Sequence, residues 1–557
     1  MFYVWRNNKN EQKLNVITAA FGFDNYMVDK VIEQPGRLGI RAIHKTAFNY
    51  DTLEPKKAYY LEGSSYDMGY MMGLLAEKEI SSMAVDFTDK VIFDFIKERD
   101  QNRGSLLMDM LLKLLNTLTK GMFNQLSVQL RDEINGLYDG CKAANPKTNV
   151  TINRLVSLNF DIDVLCSLVY TGAFILKSIP NANPSYFRIP LACNGFSVFG
   201  NAAGNGHYFG RDFMFTNAGV FQNNAATIIY NPKREYGREA YPMVSIGAPG
   251  MIGSIAGMNI FGVGMGVNMS PGANCTPGKI GTNSLLLART CLQYGDSAKE
   301  AVRIMVETPR GASWNYIIAD GNNDRACVVE AGASDIKGEF TSYPPSSIKQ
   351  LLPDRTFLRF HKSAEYNKGL MVRWNDYKYP REYLDFNPGL CRDKRKPDMD
   401  CFSERGYINK SFNDKNCPST NYFAPQREAR NDVVIVTNHY VIPEMRFFSM
   451  YPWTSRIIGD SINEIQWRYD ELNNEILSAI QNKGYINFEC ARGIIDFLSP
   501  YGRFPAYYSK SPKSSDGRQV QIKGSVSLFD LKQKVAYNHY GYYCDEWVKT
   551  SLPNYIM

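Results

Sequence analysis

The chain has 557 residues, 44% hydrophobic and 21% charged, a composition that fits a globular protein with a large core and excludes wholesale disorder. Its net charge of +7 is small for this length, and the basic run Arg392-Asp393-Lys394-Arg395-Lys396 is short and diluted by aspartate, so it reads as a solvated loop and no nucleic-acid partner is expected. No run of eighteen apolar residues occurs, so no membrane span is expected. The N-terminal MFYVWRNNKNEQKLNV lacks a signal-peptide core, which favours a cytoplasmic location and leaves the compartment open. Eleven scattered cysteines without Cys-x-x-Cys spacing point to no zinc site and no disulfide framework. No cofactor is expected either. The Gly-rich stretch GNAAGNG fits neither a P-loop nor a strand-to-helix dinucleotide motif, and reads as a strand-to-strand turn.

From Ser64 to about Phe160 the pattern is helical. Met68, Met71, Met72, Leu75 and Ile80 recur near one face, and SLLMDMLLKLLNTL and LRDEINGLYDGCKAAN continue the period. After residue 193 the texture changes to short strands with Gly, Asn and Pro turns: ATIIYNP, YPMVSIG, GMIGSIAG and FGVGMGVN. Two helices follow, SLLLARTCLQYG and DSAKEAVRIMVET, the second with Ser297 and Glu300 at capping-box spacing. Strands WNYIIAD and RACVVEAG come next, with Asp320 at their turn and Glu330 near their end. Residues 335–430 lack periodicity and read as an irregular insertion. Strand VVIVTN, two helices and a strand pair near 520–540 complete the chain. Runs of strands and helices without βαβ alternation favour stacked antiparallel sheets covered by helices.

The stretch from 191 to 215, LACNGFSVFGNAAGNGHYFGRDFMF, carries the chemistry. Small Ala192 precedes Cys193; a strand, a Gly/Asn turn and a second strand follow. This pattern is expected if the Ala192–Cys193 bond is a self-cleavage site and Cys193 becomes a new N-terminus. A thiol beside its own α-amino group holds nucleophile and base in one residue, since an ordinary α-amino pKa is roughly 7.7–8.0.

Several segments in order resemble the acyl-coenzyme A:6-aminopenicillanate acyltransferase family of N-terminal-nucleophile (Ntn) cysteine hydrolases, and more distantly acid ceramidase and the bile-salt and penicillin V amidases. They are EGSSYDMGYMMG, LRDEINGLYDG with NRLVSLNFDID, the Cys193 stretch ending in Gly-Arg-Asp-Phe, GMNIFGVGMGVN, VVIVTNHYVIPEM and SINEIQWRYDEL. The resemblance implies an α+β fold, a four-layer αββα Ntn sandwich of antiparallel sheets. Residues 1–192 would form a mainly helical N-terminal segment, the smaller chain after cleavage, and 193–557 the sandwich with its insertion. The two chains would stay associated.

The resemblance also assigns roles. Cys193 is the nucleophile and Arg211 lies beside it. Asn268 orients substrate or joins the oxyanion hole, Asn438 donates to the oxyanion, and Arg468 approaches the site from a helix. Relatives place an aspartate three residues after the arginine. Here that position is Met214, and Asp212 is the nearest carboxylate on the same strand face. The implied activity is hydrolysis of a non-peptide N-acyl amide through an acyl-enzyme. Transfer of the acyl group from an amide or thioester to an amine is the alternative. Two other readings stand beside it: a papain-like pairing of Cys193 with His439 or His539, and a non-catalytic binding protein.

Overall fold

The computed structural model describes residues 22–91, 121–177, 192–215, 218–270, 281–333, 369–377, 430–442, 464–498, 521–543 and 545–552, with scattered positions at 12–19 and 445. The expected helix SLLMDMLLKLLNTL and most of the 335–430 insertion lie outside these residues.

The chain opens with β1 (Tyr26–Gln34), β2 (Arg37–Phe48) and β3 (Pro55–Gly63), then helices α1 (Ser65–Ser81), α2 (Val128–Ala144) and α3 (Ile152–Lys177). Strands β4 (Ala192–Phe199), β5 (His207–Met214), β6 (Ala226–Pro232), β7 (Met243–Gly247), β8 (Ala256–Asn259) and β9 (Val263–Met269) follow. Next come α4 (Ser284–Tyr294), α5 (Ala298–Glu307), β10 (Trp314–Asp320), β11 (Arg325–Ala331), β12 (Leu370–Trp374) and β13 (Val433–Val436). The described chain closes with α6 (Glu464–Lys483), α7 (Phe488–Leu498), β14 (Gln521–Asp530), β15 (Val535–Tyr542) and β16 (Val548–Ser551).

The strands form two sheets. One has ten strands in the order β1-β2-β3-β6-β7-β8-β9-β10-β11-β12, and the other six in the order β13-β4-β5-β14-β15-β16. All neighbours are antiparallel except β3 and β6, which run parallel from Lys57↔Ala226 to Gly63↔Pro232. The ten-stranded sheet therefore includes strands from both sides of Cys193. Two features lie beyond the sequence expectations. Residues 26–63, where no elements were assigned, supply three strands. The region read as an irregular insertion contributes β12, whose Met371 pairs with Glu330.

The sheets stack face to face. A Cβ on Gly264 would meet Phe209 and Leu531, and one on Gly266 would meet Arg211 at 2.9 Å, so these β9 glycines admit side chains of the opposite sheet. Helices α1 and α2 cover one side. Gly69 and Gly73 lie against Gly136 and Gly140 so tightly that an added Cβ would strike the facing backbone, which explains the glycine spacing in both motifs. The α1 N-terminus has a full capping box between Ser64 and Asp67. On the other side α6 and α7 pack Tyr469, Leu472, Ile476, Ile494 and Ile495 onto Phe196, Val198, Val526 and Leu528. The result is the helix–sheet–sheet–helix layering expected of the Ntn fold. Among the described residues no helix is long and apolar enough to cross a membrane.

Candidate active site

Alternation along β4 sorts its side chains between two layers. A Cβ on Gly195 would lie 3.5 Å from Arg211, which itself faces the ten-stranded sheet, so Cys193 points into the layer between the sheets. Asn194, Phe196 and Val198 point the other way, towards α6 and α7. The cross-strand partner of Cys193 on β5 is Phe213, and that of Asn194 is Asp212.

The edge of β4 explains why Cys193 is held unusually. Strand β13 pairs with β4 only from Val198 to Gly195 and then stops. At Cys193 two side chains take the place of the missing strand. The Cys193 backbone N–H donates to Asn438 Oδ1 at 2.7 Å, and its carbonyl accepts from Arg468 Nη1 at 2.9 Å. Asn438 follows directly from the end of β13; Arg468 reaches in from α6. Arg468 Nη1 also donates to Asn194 Oδ1 at 2.6 Å, and Nη2 to Asn438 Oδ1 at 3.0 Å. Two donors on one oxygen fix the Asn438 amide, whose Nδ2 therefore points away, to Met269 O at 2.7 Å.

Cys193, Asp212, Asn268, Asn438 and Arg468 are all completely buried, and Arg211 is nearly so. Buried charges need partners. Asp212 accepts from the Asn194 backbone N–H and, at 2.7 Å, from Asn194 Nδ2. Burial pushes its carboxyl up to about 6, against the pull of Arg211, the Asn194 bonds and Arg468. Arg211 donates weakly to Asn194 O at 3.4 Å and stands 3.9 Å from Asp212. Burial lowers its pKa, while Cys193 and then Asp212 oppose that shift. Two guanidiniums thus stand close to the Cys193 main chain and its neighbour Asn194. Asn268 shares its β9 face with Gly266, hence with Arg211. Neither end of its amide has a hydrogen-bond partner among the described residues.

The structure therefore brings Cys193, Arg211, Asn438 and Arg468 together, and sets Asn268 on the sheet face opposite. It places Asp212 on the far side of the strand from the thiol, where it holds Asn194. The two histidines of the papain-like reading, His439 and His539, lie elsewhere. The His439 ring faces Thr437 Oγ1 at 2.9 Å and meets Tyr469 edge-on, while His539 packs on Trp547. A cleft of about 740 Å³, lined by Lys30, Arg41, Lys57 and Glu79 among others, includes none of the candidate residues.

Residues 191–342 match the family model described as Acyl-coenzyme A:6-aminopenicillanic acid acyl-transferase. The segment that begins at β4 resembles that acyltransferase family. A relative from Archaeoglobus fulgidus, described as an uncharacterized protein, is 28% identical over 504 residues, covering 89% of this chain and 66% of its own length. The chain thus spans just under two thirds of that relative. Two variants of conjugated bile acid hydrolase from Clostridium perfringens have TM-scores of 0.31 and 0.33 at 13% identity, each covering 65% of this chain and 92% of the solved one. A Caenorhabditis elegans N-acylethanolamine-hydrolyzing acid amidase ortholog gives 0.29 at 9% identity, over 61% and 93%.

Sequence reasoning missed three residues around the site. Asn194 bridges Arg468 to Asp212. Asn315 and Glu330 reach across from the ten-stranded sheet to the segment that carries Asn438. The available signal was a single polar residue inside each of two buried apolar strands, WNYIIAD and RACVVEA.

Proposed function

We propose that the protein is an amide hydrolase that matures by cutting its own Ala192–Cys193 bond and then works from the freed Cys193. The observation carrying this reading is that the Cys193 main chain is held by Asn438 and Arg468 where pairing with β13 has ended. The nitrogen that would become the α-amino group is thus already fixed beside the thiol.

In maturation, Cys193 Sγ attacks the Ala192 carbonyl carbon. The C–N bond breaks, the thiol proton passes to the Cys193 nitrogen, and a thioester forms. Water then adds to the thioester, giving the Ala192 carboxylate and regenerating the thiol. In turnover the sulfur attacks the acyl carbonyl of a small N-acyl amide. The α-amino group takes the thiol proton and gives it to the departing amine, and water releases the acid. Asn438, acting as acceptor, orients the amino group. Its Nδ2 is engaged by Met269 O, so the amide of Asn268, which has no partner among the described residues, is the donor best placed for the oxyanion, with the Arg211 guanidinium beside the thiol favouring the anionic centre. Release to an amine acceptor in place of water uses the same intermediate, and the acyl-transferase description of the matching family favours keeping that second reading.

The two chains would stay associated. Residues 57–63 pair with 226–232 in one sheet, Glu133 meets Arg289 at 3.5 Å, and Asp163 accepts from both Ser284 N and Oγ. The test is incubation of cleaved protein with an N-acyl p-nitroanilide, with and without an added primary amine, followed by mass analysis. Free acid and an acyl adduct on the Cys193 peptide are expected. Turnover undiminished by Cys193→Ala would contradict the assignment.

A further inference from the structure

Asn268, Asn315 and Glu330 are cross-strand partners in one rung running through β9, β10 and β11. All three are fully buried. Direct partners share a face, so the rung points at the six-stranded sheet. There it meets the chain that leaves β13. Asn315 Nδ2 donates to Thr437 O at 3.2 Å and to His439 O at 2.8 Å, the carbonyls on either side of Asn438. Glu330 Oε1 accepts from Val441 N at 2.9 Å, and its Oε2 from Ile442 N at 3.0 Å. From the neighbouring rung Arg373 Nη2 donates to Ile435 O at 2.9 Å, and Arg373 Nε lies 3.6 Å from Glu330 Oε1.

A segment without a strand partner needs its main-chain groups satisfied by side chains. Here those side chains come from the opposite sheet and bracket the residue whose oxygen holds the Cys193 nitrogen. An ionisable glutamate on a fully buried rung is costly unless its bonds are used. Burial raises its pKa, against Arg373 and the two N–H groups.

We propose that Asn315 and Glu330 are positioning residues that fix the 437–442 segment and thereby set Asn438 against the Cys193 nitrogen. The proposal rests on the reading of Cys193 as the self-cleaving nucleophile. The clamp acts on the scissile bond through Asn438 alone, and neither residue touches the reacting atoms. Misplacing a positioning group by about 1 Å can cost on the order of a hundredfold, so loss of either anchor is expected to slow cleavage by about tenfold or more.

The experiment follows cleavage of the full chain in a cell-free translation pulse-chase, comparing wild type, Cys193→Ala, Asn315→Ala, Glu330→Ala, Glu330→Gln and Asn259→Ala. Thermal melting is measured on the same proteins. Asn259 is the structural control. It is equally buried in the same sheet and makes four bonds, to Leu292 O and Gly295 O at the end of α4 and from Phe261 N and Val263 N, away from the segment at issue. The proposal expects Asn315→Ala and Glu330→Ala to slow cleavage about tenfold or more. Glu330→Gln, which keeps an acceptor oxygen, should stay within about threefold, and Asn259→Ala should lower the melting temperature while cleaving at the wild-type rate. If Asn315→Ala does not accumulate, Asn315→Ser, whose hydroxyl can meet one carbonyl, takes its place with an intermediate rate expected. Wild-type rates in both clamp variants, or equal slowing in Asn259→Ala, would overturn the proposal while leaving the nucleophile in place. A wild-type chain as intact as Cys193→Ala would remove the underlying reading, and the proposal with it.

Discussion

The two ends of the β4–β5 pair offer a direct comparison. At one end stands Cys193. Near the other, Ser197 Oγ lies 2.8 Å from His207 Nε2, and His207 Nδ1 faces Asp324 Oδ1 at 3.4 Å, with Lys532 on the same carboxylate at 2.8 Å. By residue type the second end looks more like a hydrolytic triad than the first. Its main chain says otherwise. Ser197 pairs with Phe209 on one side and Val434 on the other, in mid-ladder on both. Cys193 lies beyond the end of β13, with side chains on its N–H and carbonyl. On the proposed reading, the comparison teaches that the nucleophile is marked by how its backbone is held, more than by which acid–base residues neighbour it. The histidine cluster reads as a pin between the sheets, and burial holds His207 below its ordinary pKa.

Substitutions can break that comparison. The largest effect is expected from Cys193→Ala, which should abolish chain cleavage, whereas Ser197→Ala should leave it at the wild-type rate by gel and mass analysis. Arg468→Ala and Asn438→Ala come next. Each removes a partner of the Cys193 main chain from a fully buried cluster, and each is expected to slow cleavage by about a hundredfold. Asn268→Ala should slow acyl-amide turnover by on the order of ten- to a hundredfold with the melting temperature nearly unchanged, because its amide has no hydrogen-bond partner among the described residues.

The smallest effect separates stability from chemistry. Asp163 is fully buried under Ser284, and burial pushes its carboxyl up to about 7, so the folded chain keeps a proton there that the unfolded chain gives up near its ordinary value of 3.8. The stabilising contribution of that proton is fully present below about pH 4 and is lost as the pH rises through about 7. Asp163→Asn removes this dependence. Its melting temperature relative to wild type should rise between pH 5 and pH 8 by a few degrees, with cleavage unaffected.

Much of this was legible in the sequence, for physical reasons that differ by element. Strands β6, β10 and β11 are apolar runs closed by turn residues, and the boundaries read from Ala226–Pro232 and Trp314–Asp320 coincide with the fold. The first strands were not assigned. YMVDKVIEQ in β1 mixes charge with apolar residues because it lies at the edge of the sheet, with Glu33 exposed and Lys30 half-buried. Among the candidate site residues, Cys193, Asn438 and Arg468 stand out in the sequence because their surrounding motifs fall in order along the chain. Asn194, Asn315 and Glu330 are given no role there, since Asn194 acts through the neighbouring strand and α6, and Asn315 and Glu330 through the opposite sheet. Asp212 illustrates the limit of alternation. Its face was correctly inferred to be that of Met214, and only the register with Asn194 reveals that this face is turned away from the thiol.

The central claim is that Cys193 frees its own amino group. The most direct test is intact mass and N-terminal sequencing of the purified wild-type protein beside Cys193→Ala. Fragments 1–192 and 193–557, the second beginning Cys-Asn-Gly-Phe, with the variant remaining whole, are predicted. A single uncut chain in the wild type would contradict the account.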